Sequence, residues 1–519
     1  MTTKATKLSS VRSTHQRRVA ERASRDAFHA LPAPARPQSL AGRFILQGAT
    51  ATFVLALALT SGRVPALAQT PAAPSPSGTA SPTAVNPSAT ASPAAVNPSA
   101  TASPTAANPA PAATPLHFGR FTPLLNYTGE AATNPVGGIK YGAAYAGQLL
   151  FGFDLHLDNG ASAGTSTIHF VVSNRHGGNL AGTSIGNNTS VQEIYGTQNT
   201  HLALFTYERK TDRLDVEFGR IPANISFLSS PLYCNFQSNS ACGNPTFVFK
   251  DSNFTFWPAS SWGAHVKGWF SPVMYLHVGA YEVNPDDRSL PGDGFNWNTN
   301  NTTGVIAPAE LGYSTSFDND RLPRDYQIGG WYDEGTYSDP ELDGNGNIFN
   351  LTGLAPATHR GRSGAFIRFD QMVLRPDPKS QRGLTVFGVG MTSLSGRVTE
   401  DHYVELGLVQ TGTFRHRDED TLGFVINDQH FTDIALDAIR FARLSVGASP
   451  NIPTHETMME LAYGAQLTPA IRISPNLQYI LYPDQMAEPF RTTNIPSAFV
   501  IGFKFSLDVP TLLQQYSKP

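Results

Sequence analysis

Between Glu456 and Gln485 the chain alternates with period two. Met459, Leu461, Tyr463 and Leu467 fall on one face of an extended segment, and Glu456, Glu460 and Gln466 on the other. After the short link "TPA" the pattern repeats. Ile471, Ile473, Leu477, Tyr479 and Leu481 oppose Arg472, Ser474, Asn476, Gln478 and Tyr482. Side chains alternate across a strand, so each segment reads as a strand with one apolar and one polar face. The same alternation recurs in "YAGQLLFGFDLHLD", "RLDVEFGR", "AFIRFD" and "FVIGFKFSLD".

Two architectures use such strands. A soluble sandwich buries the apolar faces, whereas an outer-membrane barrel turns them to lipid and lines a lumen with the polar ones. Long Gly/Asn/Asp-rich stretches such as "NPDDRSLPGDGFNWNTNNTTGVIAPAELG" alternate with short turns such as "TPA". Tyr463, Tyr479 and Tyr482 sit near strand ends, as interface aromatics do. Residues 116–519 show no internal boundary. The predicted fold is all-β: a transmembrane antiparallel β-barrel with long outer loops and short periplasmic turns. Sixteen strands of roughly 10 residues, each with its connector, fill the span.

Composition divides the rest. Residues 1–43 carry nine basic and two acidic residues, "FILQGATATFVLALAL" follows, and "ALA" at 66–68 precedes Gln69. This is signal-peptide grammar, so 1–68 is expected to be removed on export. From Thr79 an eleven-residue repeat begins: "TASPTAVNPSA", "TASPAAVNPSA", "TASPTAANPAP". Its proline content and lack of bulky apolar residues make 69–115 a disordered spacer.

Loss of ten basic and two acidic residues with the leader leaves a mature chain near −11. No basic surplus remains for phosphates, which argues against nucleic-acid binding. No later apolar run reaches the length of a membrane-spanning helix. The two cysteines, Cys234 and Cys242, lie close together in an exported chain and predict a local disulfide rather than a metal site.

Enzyme motifs do not assemble. "GTSIG" at 182–186 matches G-x-S-x-G around Ser184, but "NNTS" follows where a nucleophile elbow needs a helix. "DPELDGNGN" from Asp339 clusters oxygen ligands, yet Leu354 stands where a calcium loop wants Glu. His455-Glu456 leads to no second His of a zinc-protease motif. The expectation is no catalysis, no cofactor and no metal.

The block Glu456 to Asp484, with "LTPAIRISPNLQYI" and its proline turn, resembles the C-terminal region of the carbohydrate-selective porin (OprB) family. "DVEFGRIP" at 215–222, the "YC…ACGNP" loop, "GGWYDEGTYSDP" at 329–340, "GLTVFG" at 383–388 and a Phe-alternating last strand agree. The resemblance covers most of 116–510. It implies a sixteen-stranded barrel in the bacterial outer membrane that lets sugars diffuse down their gradients. Two features depart from the family pattern: the spacer, and the tail "SLDVPTLLQQYSKP" that continues past Phe505.

A sugar offers hydroxyls on its rim and apolar ring faces, so a selective lumen should present polar groups of both signs. The predicted lumen set is Asp154, Asp215, Glu217, Arg220, Arg368, Asp370, Glu460, Arg472, Gln478 and Lys504. Arg220 stands out because it also falls on a family motif. The expected partners are mono- or small oligosaccharides as permeating solute and outer-membrane lipid. A homo-oligomer and a periplasmic partner for the spacer stay open. The alternatives are a barrel serving as scaffold or exporter, and an exported soluble β protein that binds polysaccharide.

Overall fold

The computed structural model describes residues 117–517 except 159–163, 197, 243–245 and 289–291. The expected leader and spacer lie outside the described residues. The first strands are β1 (Phe121–Val136), β2 (Ala143–His156), β3 (Thr165–Gly177), β4 (Thr200–Lys210), β5 (Leu214–Ile221) and β6 (Ser261–Trp269). There follow β7 (Met274–Val283), β8 (Gly304–Ser314), β9 (Arg324–Asp343), β10 (Pro356–Leu374) and β11 (Gly383–Ser395). The last are β12 (Glu400–Thr411), β13 (Thr421–Phe431), β14 (His455–Thr468), β15 (Ile471–Leu481) and β16 (Ala498–Asp508).

Each strand pairs antiparallel with the next, and β16 returns to pair with β1. The sheet is therefore a closed barrel, which excludes the open sandwich. Links at one end are mostly short, among them 211–213, 270–273 and 469–470. At the other end run 178–199, 222–260, 284–303 and 432–454, with 137–142 and 396–399 as short exceptions. These are called the lower and upper ends below. Among the described residues no helix is long and apolar enough to cross a membrane.

The two faces separate by parity. Leu461 is 44% exposed and its neighbour Glu460 only 1%. Ile367, Ile501 and Phe503 are exposed in the same outward row, while Arg368 and Lys504 turn inward and are buried. Tyr482 is an exception to the predicted alternation. It lies beyond β15 with φ 53, so the chain has already left the sheet there.

Burial of the inward residues has a cause that strand periodicity does not contain: the upper links 178–199 and 222–260 fold down into the barrel. Phe227, Phe247, Phe254, Phe256 and Trp257 of the second link pack with Trp331, Phe366, Val389, Met391 and Tyr403 of the inner wall. Leu232, Tyr233 and Phe236 meet Phe387, Val409, Val425 and Ala462 farther round. Leu180, Ile185 and Val191 of the first link pack on Met458, Ile480 and Val500. Full burial of a large apolar side chain is worth about 1.5–3 kcal/mol, so these links are part of the folded body rather than loose flaps.

Candidate functional site

The link 222–260 leaves the wall at the end of β5 and returns at β6, and hydrogen bonds hold its two limbs together. The N–H of Ala223 donates to Thr255 Oγ1 at 3.1 Å, and that of Trp257 to Asn224 Oδ1 at 3.0 Å. Arg220 fastens the base. Its guanidinium donates to the Ser260 carbonyl and pairs with Asp287 Oδ1 at 2.7 Å. Arg220 therefore does not line the lumen as its motif predicts. It shares parity with the exposed outward residues Leu214 and Phe218, and is fully buried where the chain turns off the wall.

The tip of the link crosses to β12–β16. Glu460 accepts the backbone N–H groups of Gln237 at 2.7 Å and Ser238 at 2.8 Å. The Tyr403 hydroxyl donates to the Ser240 carbonyl at 2.6 Å, and Asn476 donates to Gln237 Oε1 at 2.8 Å. Lys504 donates to the Phe236 carbonyl at 3.1 Å and stands 3.4 Å from Glu130 and 3.8 Å from Glu193. Gln478 donates to the Val191 carbonyl of the first link at 3.1 Å. Burial pushes the Glu193 carboxyl up, against the pull of Lys504 and with Glu130 adding to the rise. Glu460, Gln478 and Lys504 are buried and grip the inserted links.

The structure draws no disulfide between Cys234 and Cys242, the pair that their spacing predicts to be bonded. Both belong to this tip. A hydrogen bond from Cys242 lowers the Cys234 thiol to about 7.

The remaining candidates form a polar belt on the wall. Asp154 bonds His169 at 2.7 Å, and His169 lies 3.7 Å from Glu208. Lys210 bridges Glu208 and Asp215 at 3.0 Å each. Glu217 accepts from Thr206 at 2.6 Å and faces His265 at 3.1 Å, which meets His277, which meets Glu310. Arg368 pairs with Asp325 at 3.5 Å and with Asp370, and Asp370 accepts from Ser230 of the inserted link at 2.8 Å. Asp154, Asp215, Glu217, Arg368 and Asp370 thus fall in three polar groups on consecutive strands, part-exposed at Asp154, Asp215 and Lys210. Arg472, part-exposed near the lower end, donates to Asn235, Gln466 and Thr421.

Several inward groups are missing from the sequence-derived set: Glu130 beside Lys504, and His169, Glu208, Lys210, His265, His277 and Glu310 of the belt. Inward parity on their strands is the signal that marks them. The three carboxylates of 339–347 are already engaged: Asp339 by Arg397 and His359, Glu341 by Arg397, and Asp343 by the N–H groups of Asn345 and Asn347.

Comparison with known proteins agrees with this geometry. The family described as carbohydrate-selective porin, OprB family, matches residues 140–508. Porin B of Pseudomonas aeruginosa is 30% identical over 398 residues, which span 73% of this chain and 86% of that protein. The high-pH structure of Pseudomonas putida OprB superposes with TM-score 0.66 at 30% identity, covering 75% of this chain and 94% of that one.

Proposed function

The chain belongs to the carbohydrate-selective porin, OprB family, and from that premise we propose the path that sugar takes through it. It is an outer-membrane porin that passes carbohydrate passively, and it is not an enzyme. The inserted link 222–260 narrows the lumen, and solute moves along the wall belt from Asp154 through Glu217 to Asp370. The observation that carries this reading is the alternation of carboxylate, imidazole, ammonium and guanidinium groups on consecutive strands. Such groups make strong hydrogen bonds to hydroxyls, while mixed sign avoids a field that selects ions alone.

In the same reading, 1–68 is a cleaved leader and 69–115 a spacer that is dispensable for conduction. Self-association and a periplasmic partner of the spacer belong to the proposal as well. The path is tested with Asp215→Asn and Glu217→Gln in reconstituted liposomes. Sugar-driven swelling should fall while the variants keep the heat resistance of a folded barrel. Unchanged sugar flux in both would remove the belt from the path.

A further inference from the structure

The segment Val509–Ser517 forms a helix that begins where β16 ends. The Thr511 N–H donates to Asp508 Oδ1 at 2.9 Å, which satisfies a donor of the first turn. The helix packs on β1 and β16. Because β16 stops opposite Asn126, the β1 edge from 121 to 125 has no strand beside it on that side. A helix set against an exposed edge is a known way to protect it.

The faces of this helix are the reverse of those on a soluble surface. With 3.6 residues per turn, Thr511 and Gln515 fall on one side, and Val509, Leu512, Leu513 and Tyr516 on the other. The polar side meets the protein: Thr511 is buried and the Gln515 amide nitrogen is shielded. The apolar side is open, with Leu513 59% and Tyr516 83% exposed. No charged residue occurs from 509 to 517. The strand that feeds it carries the outward row Ile501, Phe503, Phe505 and Leu507, and Phe121 of β1 is exposed on the neighbouring wall. The open helical face thus continues the lipid-facing wall at the lower rim.

We propose that the helix Val509–Ser517 is an interfacial anchor that lays Leu513 and Tyr516 into the inner leaflet of the outer membrane. A tyrosine beside leucines suits that depth, since its ring is apolar and its hydroxyl reaches the headgroups. The tail past the last strand then acts as a lipid contact rather than an unstructured end.

Hydroxyl-radical footprinting of the unaltered chain, in nanodiscs holding one copy each, tests this. Tyr141, 76% exposed in the upper link 137–142, is the reference. Tyr516 should be oxidised several-fold less than Tyr141, because lipid covers it. Equal labelling would overturn the proposal. Protection that appears only when two or more copies share a disc would assign the face to a second copy. Protection lost on deletion of 69–115 would assign it to the spacer, and either result would overturn the lipid assignment.

Discussion

Glu460 on β14 holds the inserted link from the far side of the barrel, its two carboxylate oxygens taking the N–H groups of Gln237 and Ser238. A buried donor left without a partner costs about 1–3 kcal/mol. Glu460→Ala frees two of them. The expected outcome is a loosened constriction within an intact barrel: larger single-channel conductance and weaker sugar preference, with heat-modifiable migration retained. Glu460→Gln, with one acceptor oxygen, should fall between. Conductance unchanged in both variants would contradict this role.

Leu461, the next residue, turns outward, and the pair separates the two faces by a single step in sequence. Arg on the lipid face of a barrel costs about 2–4 kcal/mol at the midplane. Leu461→Arg is expected to lower the yield of assembled protein in the outer membrane, measured as the heat-modifiable fraction. Normal assembly would place Leu461 away from lipid.

Asp420 ties the lower turn 412–420 to β14. Burial raises its carboxyl, but the Arg417 guanidinium, the Tyr463 hydroxyl and the Gln466 N–H outweigh it and hold the group below its usual 3.8. A depressed folded pKa stabilises above the unfolded value and loses that contribution as pH falls through the folded one. Thermal stability of the native chain should therefore drop more steeply below pH 3.8 than that of Asp420→Asn, which starts about 1 kcal/mol lower at neutral pH. Parallel pH profiles would contradict the assignment.

Cys234 and Cys242 face each other in the tip of the link, and the lowered Cys234 thiol favours the thiolate that starts exchange. In an oxidising compartment the pair is expected to close. Thiol titration of unreduced, denatured protein from outer membranes should find no free thiol. Two reactive thiols would show that the pair stays reduced.

Much of the barrel was legible because lipid imposes a rule on every second residue: Leu461, Ile473, Phe503 and Ile367 declare the outer face by parity alone. The inner face obeyed no such rule. Met458, Ile480 and Val500 are apolar at inward positions because link 178–199 covers them, and Phe366 and Val389 because link 222–260 does. Apolar residues on both faces in the upper halves of strands are the trace an inserted link leaves in the sequence. Arg220 misled for a related reason. Its motif pointed to the lumen, but Arg220 falls on the outward parity of β5 just before the strand ends, and the guanidinium closes the link's base instead.

The central claim is selective passage of carbohydrate through a lumen narrowed by link 222–260. Swelling of liposomes containing the purified chain tests it most directly, with a monosaccharide set against a zwitterionic amino acid of similar mass. Faster swelling in the sugar is predicted, since the Asp154-to-Asp370 belt hydrogen-bonds hydroxyls while its fixed charges disfavour a solute carrying both signs. Equal rates for the two solutes, or no swelling in the sugar, would contradict the account.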